Sequence, residues 1–458
     1  MAGNACGGTA WLQRSGDPLW AGASKVVEGL RRAGYEAYLA GGCVRDLLLG
    51  AVPKDYDVVT DARPELVAKC FRRTHLVGAA FGVVRVQLSR DLVYEVATYR
   101  GDGAYADGRR PEAVVYGVGK EEDVHRRDFT INAMLLDPLS GELIDLVGGR
   151  ADLEQRLIRA VGDPKLRFEE DHLRLLRAVR FATRLGFEIE AATAEAMRAS
   201  APKLSRISRE RISTELDGIW ISPAPDRGLR LLGDFGLVAA ALPLPIESLE
   251  AEAIEAKAHA LGRLRRSVAD DVAKSDLVRL AWAVLLEGLE RAQVHAALTE
   301  LRRSREELRV IGALVDAAPV LRSPERYPTA ETRRLVADVA FWPLAKAYLC
   351  ALVDDSSLRS ELEEPRTGVV AVRGPRAFFA REERELEERP LAARPIVTGA
   401  DLKALGLNAG PVFKTLLDEV DRAVLERRVT SRAEALAFVR TSLASKGLDP
   451  NKSHIDGR

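Results

Sequence analysis

The sequence predicts an α+β domain near the N-terminus followed by segments built only from helices, and three observations carry this. Between Ala21 and Arg150 short β-type runs (YEAYLA, DYDVVT, GVVRVQL, LVYEVATYR, AVVYGV) mix with one or two helical patterns. Beyond Arg150 such runs are expected to stop, and Ala151 to about Trp220 reads as helical and rich in arginine. From Leu231 to about Leu386 the helical pattern is broken at Pro243, Pro319 and Pro343, and a last block, Arg394 to Ser445, has its own Gly/Pro punctuation. A chain of 458 residues is too long for one core. The expected boundaries are 21–150, 151–220, 221–390 and 391–446.

Composition narrows the class. With 47% hydrophobic and 30% charged residues the chain reads as an ordinary globular protein. Lys+Arg and Asp+Glu number 68 each, so a polyanion would have to be held by local basic patches. Cys6, Cys43, Cys70 and Cys350 are scattered and form no C-x-x-C pair, which argues against a zinc site or disulfide framework and fits a reducing compartment. No apolar run reaches the ~18 residues of a membrane span; the longest, near Phe235 to Ile246, is broken by Pro243 and Pro245. No signal-peptide pattern opens the chain, and residues 1 to about 20 read as a loose lead-in. The expectation is a cytoplasmic protein with no membrane partner. The oligomeric state is not set by the sequence, and a homo-oligomer stays open.

Within the first domain, Tyr38-Leu39-Ala40 reads as a buried strand end. Gly41-Gly42 then turns the chain into a helix, Val44 to Leu49, closed by Gly50. A Gly-rich turn entering a helix presents free N–H groups, and Arg45 adds a charge suited to phosphate. By itself this is also a plain strand-turn-helix corner. A dinucleotide site is disfavoured because G-x-G-x-x-G is absent. Asp55 and Asp57 shift the balance: two residues apart in a strand, their carboxylates face one side while Tyr56 and Val58 face the core. Such a pair is costly without a cation between them, and oxygen ligands of this kind suit Mg²⁺, which also bridges substrate phosphates. On the run Leu92 to Arg100, Glu95 lies on the face opposite Tyr94 and Val96. It could complete a three-carboxylate cluster or pair with Arg85 or Arg100.

The stretch FEEDHLRLLRAVRFATRLG, Phe168 to Gly186, reads as one helix beginning at Glu169-Glu170-Asp171. Arg174, Arg177, Arg180 and Arg184 share one side, with Leu175, Leu176, Val179 and Ala182 facing a core. A solvated stripe is the plain reading of such arginines. Asp171 three residues before Arg174 can be a local ion pair, or an acceptor beside a donor fork able to read a base edge. Cytosine and adenine present an amino donor next to a ring acceptor; uracil and guanine present the reverse. A fixed carboxylate and guanidinium therefore accept C and A and leave unpaired groups against U and G.

GGCVRDLLLG…PKDYDVVT, HRRDFTINAML (His125 to Leu135) and EEDHLRLLRAVRF together resemble the class II tRNA nucleotidyltransferase and poly(A) polymerase family, within the DNA polymerase β-like nucleotidyltransferases. The resemblance runs from about Tyr35 to Trp220, with a further stretch at Val397 to Val420; residues of about 230–390 carry little of it. It implies a polymerase β-like palm as the N-terminal head, then helical neck, body and tail, and a CCA-adding activity using CTP, ATP and the 3′ end of tRNA. It also implies that Asp55 and Asp57 bind the catalytic magnesium ions, and that Gly41, Gly42, Arg45 and Arg127 contact the nucleotide. By the same resemblance Asp171 and Arg174 act as a protein template, and Arg177 and Arg180 line the triphosphate pocket. DGAYADGRRPEAVVYG (Asp102 to Gly117) resembles the family's flexible loop. HLVGAAFGVVRVQL looks like the tRNA-specific branch, because the basic segment of the poly(A) polymerase branch is missing. SRISRER (Ser205 to Arg211) resembles a neck-supporting motif. Gly406 to Pro411 could cradle a phosphate or be a tight turn, with Pro411 at a helix start. Arg302, Arg303 and Arg305 read as a solvated basic face.

Overall fold

The computed structural model describes residues 16–76, 82–102, 114–269, 272–353 and 374–446. The chain divides into two compact units. One holds the residues up to Ala258 with Glu300–Arg302, the other His259–Thr299 and the residues from Arg303 onward.

The first unit is built on a seven-stranded sheet: β1 (Ala37–Ala40), β2 (Asp57–Thr60), β3 (Thr74–Leu76), β4 (Val83–Gln87), β5 (Val93–Thr98), β8 (Leu135–Leu136) and β9 (Leu143–Ile144). Their order is β3-β4-β5-β2-β1-β8-β9, with β2 and β5 parallel and every other pair antiparallel. Two further strands, β6 (Arg100–Asp102) and β7 (Val114–Tyr116), pair with each other and flank 103–113, so most of the expected flexible loop lies outside the described residues. Alternation sets the faces. Tyr38, Ala40, Val59, Ala97 and Tyr99 pack with Val124 and Ala133 on one face. Residues of the opposite parity, such as Leu39, Val58 and Val96, are also fully buried. Helices α1 (Pro18–Arg32) and α3 (Pro64–Cys70) pack on the sheet.

Several expectations need correction. The lead-in does not extend to residue 20: Asp17 caps α1, and Pro18 occupies its first turn. Strands do not end at Arg150, because β10 (Leu157–Ile158) and β11 (Glu188–Ile189) form a parallel pair. The Phe168 stretch is not one helix. Helix α6 (Pro164–Glu170) stops where Asp171 turns extended, and α7 (Arg174–Leu185) begins after it. Between α1 and α6 the chain forms α2 (Gly42–Leu48), α4 (Lys120–His125) and α5 (Gly149–Gln155) besides α3, more helix than the one or two expected. After α7 come α8 (Ala191–Ser200), α9 (Arg209–Trp220) and α10 (Pro225–Asp234).

The second unit is helical among its described residues. Arg333 joins three of its helices: it is nearly buried, donates to Glu382 at 2.8 Å and Glu385 at 2.6 Å, and reaches the Leu425 carbonyl at 3.2 Å. Pro411 opens a helix running to Leu425, as its position suggested. Arg303 departs from the solvated face. Its guanidinium lies 5.0 Å from the Trp282 ring centroid and is paired with Glu307, while Arg302 and Arg305 are exposed. No single helix among the described residues is long and apolar enough to cross a membrane.

The first unit leaves no room at Gly149. A Cβ there would stand 2.2 Å from the Thr130 carbonyl oxygen, a backbone atom. Gly149→Ala should cost about 2 kcal/mol in denaturant unfolding; a variant within about 0.5 kcal/mol of the parent would show that the turn yields.

Candidate functional site

The β1–β2 register answers why two glycines and two aspartates stand so close in sequence. Ala40 is the direct partner of Asp57, so the Gly41-Gly42 turn leaving β1 lies beside the carboxylates entering β2. Gly41 has φ of 79°, a conformation that glycine adopts without strain. A Cβ on it would lie 3.6 Å from Arg127 Nη1 and 3.9 Å from Asp57 Oδ2, so turn, guanidinium and carboxylate share one corner. Helix α2 ends at Leu48, and Gly50 with φ of 76° closes it.

Asp55 and Asp57 are exposed and Tyr56 is buried, so the expected alternation holds even though Asp55 precedes the strand proper. Neither carboxylate has a hydrogen-bond or ion-pair partner among the described residues. Desolvation, then the charges of Asp55 and Glu95, push the Asp57 carboxyl up to about 6 against the pull of Arg127. Glu95 therefore contributes its field, but its side chain is taken by Arg85, whose Nε and Nη2 both donate to it at 3.0 Å. Among the described residues no three His, Cys, Asp or Glu side chains are grouped to hold a metal, so Glu95 is not brought in as a third ligand. Two crowded, unpartnered carboxylates still suit a divalent cation whose remaining ligands come from substrate and water. Cys43, behind the turn, is pushed up to about 12 by burial and is no nucleophile.

The triplet Arg126-Arg127-Asp128 holds the corner together. Asp123, almost fully buried, accepts from Arg126 at 2.7 Å and from Arg127 at 2.9 Å. Arg127 also donates to the Asn132 carbonyl at 3.2 Å. Asp128 takes both Nε and Nη2 of Arg177, at 2.8 and 2.6 Å, and so clasps α7 to the sheet domain. Burial pushes the Asp128 carboxyl up, but Arg177 and the Phe129 N–H outweigh it and hold it below the usual carboxylate range.

Arg45, expected at a phosphate, is almost wholly buried. It donates to Asn132 Oδ1 at 2.6 Å and to Asp46 at 2.9 and 2.6 Å. Nor is the α7 arginine stripe a solvated face. Arg180 donates to Glu215 on α9 at 2.6 Å, Arg177 approaches Glu215 at 3.7 Å, and Arg184 approaches Asp46 at 3.7 Å.

Asp171 and Arg174 lie on either side of the helix break, and they are not an ion pair. Asp171 Oδ1 accepts from the Leu173 N–H at 3.0 Å and Oδ2 from Arg211 Nη2 at 2.7 Å. Arg174 donates to Glu170 at 2.5 Å and to the carbonyls of Arg167 and Arg126 at 2.7 and 3.1 Å. Asp46, Asp123, Asp128, Asn132 and Glu215, which fix the arginines, were missed from sequence. Only Asp128, inside the R-R-D triplet, carried a local signal.

Residues 37–159 match the poly A polymerase head domain, and 186–248 match the segment described as "Probable RNA and SrmB- binding site of polymerase A". The chain is 35% identical over 419 residues to a CCA-adding enzyme of Geobacillus thermodenitrificans (strain NG80-2), spanning 90% of this chain and 94% of that one. It is 32% identical over 422 residues to a CCA-adding enzyme of Streptococcus pyogenes serotype M2 (strain MGAS10270), spanning 92% and 96%. The crystal structure of Bacillus stearothermophilus CCA-adding enzyme in complex with CTP superposes with a TM-score of 0.75 at 29% identity, covering 94% of this chain and 99% of that one.

The Asp128–Arg177 clasp sets a pH signature. A carboxyl held low contributes stability that is complete above its unfolded value and lost as pH falls through its folded one. Asp128→Asn should cost about 2 kcal/mol at neutral pH. The gap to the parent should stay constant down to about pH 4 and close below it, as urea titrations would read; no gap at neutral pH would refute the clasp.

Proposed function

Because the chain belongs to the family of CCA-adding enzymes, we propose that it extends the 3′ end of tRNA by C, C and A from CTP and ATP, and that the corner around Gly41, Asp57 and Arg127 performs the transfer. The observation that carries this reading is the Ala40–Asp57 register, which sets a glycine turn fit for a triphosphate against a carboxylate pair fit for its metal. Addition proceeds without a nucleic acid template.

Each residue has a task. Asp55 and Asp57 hold divalent metal, of which Mg²⁺ is the proposed ion given their all-oxygen donor set. When bound, the metal lowers the cost of deprotonating the terminal 3′-hydroxyl and of charge on the departing pyrophosphate. Gly41 and Gly42 let the backbone approach the phosphates, and Arg127, fixed by Asp123, is aimed into the same corner. Arg177 and Arg180 bring positive charge to the triphosphate, and the buried Arg45 braces the glycine turn through Asp46 and Asn132. Asp171 and Arg174 select the base: the carboxylate accepts from the amino group of C or A, and the guanidinium donates to the ring nitrogen. Arg211 donates to Asp171 Oδ2 and so restrains the carboxylate. The proposed boundaries of head, neck, body and tail remain 21–150, 151–220, 221–390 and 391–446, with tRNA held by the later helices. A cytoplasmic setting follows from the same reading, to which the free thiols Cys43, Cys70 and Cys350 are suited.

The test uses purified full chain, Mg²⁺ and three tRNA transcripts ending before CCA, after C and after CC, with CTP and ATP separately and together. Completion of all three, with no extension by UTP or GTP, is the expected result. Addition of A alone to the CC-ended transcript would make the enzyme an A-adder, and addition of C alone a C-adder. No addition would overturn the reading.

Two variants assign the chemistry. Asp57→Ala should lower turnover by more than about 10³-fold while the fold holds, because removal relieves crowding between carboxylates. Asp171→Ala should accept UTP or GTP at rates within about tenfold of CTP; a variant that still rejects them would remove Asp171 from base selection.

A further inference from the structure

Phe181 lies at the centre of the arginine cluster and is almost fully buried. The guanidinium carbons of Arg180, Arg45 and Arg177 lie 4.5, 5.4 and 5.5 Å from its ring centroid. All three distances fall within the ~6 Å over which a ring quadrupole attracts a cation. The ring is itself held edge-on by Phe129, with centroids 5.8 Å apart and planes at 78°. Four guanidiniums, those of Arg45, Arg177, Arg180 and Arg184, share three carboxylates, Asp46, Asp128 and Glu215. Like charges at this density repel, and three carboxylates do not neutralise four guanidiniums. The negative ring potential is the feature that Arg45, Arg177 and Arg180 have in common. The backbone accommodates this: a Cβ at Gly218 would stand 2.3 Å from Arg180 Cδ, so α9 keeps a glycine where the Arg180 stem crosses toward the ring.

We infer that Phe181 is a positioning residue, its ring serving as a common platform that holds Arg177 and Arg180 in one polyphosphate-binding surface over the buried, structural Arg45. The inference rests on the proposed function, which assigns the triphosphate to Arg177 and Arg180. It adds that affinity for a polyphosphate depends on the ring's electrons as well as on its bulk.

The decisive experiment replaces Phe181 with 4-fluoro-, 3,5-difluoro- and 3,4,5-trifluorophenylalanine in the full chain. Fluorine drains the ring face of negative potential while nearly preserving its shape, so the fold is kept. Two quantities are read: KM for CTP, and the inhibition constant of inorganic tripolyphosphate, which contains no base to recognise. Both should rise stepwise with fluorine number, reaching about tenfold for the trifluoro ring, with kcat within about threefold and the chain still folded. Phe181→Leu should show the same loss, and Phe181→Tyr should restore it. Constants that stay flat across the fluorinated series would overturn the platform and leave Phe181 a packing residue. A parent enzyme that transfers nucleotides but is not inhibited by tripolyphosphate would overturn it too, whereas a parent that transfers none would overturn the proposed function itself.

Discussion

The pairing of Ala40 with Asp57 across β1 and β2 is the constraint from which the site hangs. It fixes which residue follows the strand end on one side and which precedes it on the other. A turn that needs positive φ and a carboxylate that needs an open face thereby become neighbours. A slip of one residue would turn Asp55 and Asp57 into the core and Tyr56 and Val58 out of it. The slip is opposed by burial on both faces, since Tyr38, Val58, Val59 and Val96 all have apolar neighbours to lose. The chemistry of the corner is thus secured by ordinary packing several ångströms away.

A second layer of order is electrostatic. The arginines of α7 are expensive to bring together, and the molecule offsets the cost with acids drawn from distant parts of the first unit: Asp46 after the glycine turn, Asp128 in the R-R-D triplet and Glu215 on α9. Each pair also joins elements, so placing charge and placing helices are the same act. Asp123 plays this part for Arg126 and Arg127 from one buried position.

Much of this was legible in the sequence. Strands of four or more residues could be read from alternation, because Val, Tyr and Thr at every second position have few other uses. The strands β3, β8 and β9, of two or three residues, are too short to show a period and exist because β4, β1 and β8 respectively give them an edge to pair with. The break at Asp171 was hidden because Glu, Asp, His and Leu all tolerate a helix. It depends on the Asp171 side chain accepting from the Leu173 N–H and on His172 Nδ1 meeting the Phe168 carbonyl at 2.6 Å, contacts that no propensity encodes. Spacing foretold that the α7 arginines share a side. It could not foretell that acids from residues 46, 128 and 215 would meet them there. Glu95 was ambiguous for the same reason, and it is the β4–β5 register that sets Arg85 opposite it.

The sheet order also bears on how the chain is made. β1 is sandwiched between β2, some twenty residues on, and β8, which arrives nearly a hundred residues later. During synthesis from the N-terminus the centre of the sheet stays without its last neighbours until residue 144 has emerged, and Asp128 waits for Arg177 still longer. The hairpin of β4 and β5 closes early from local contacts, while the parallel β2–β5 pairing and the β1–β8 edge are long-range closures. The nascent chain therefore exposes an unpaired edge at Leu39 and Ala40 for the time it takes the ribosome to translate roughly a hundred codons, seconds at ordinary elongation rates. That interval, rather than the finished structure, is when the edge of β1 is open to pairing with another chain.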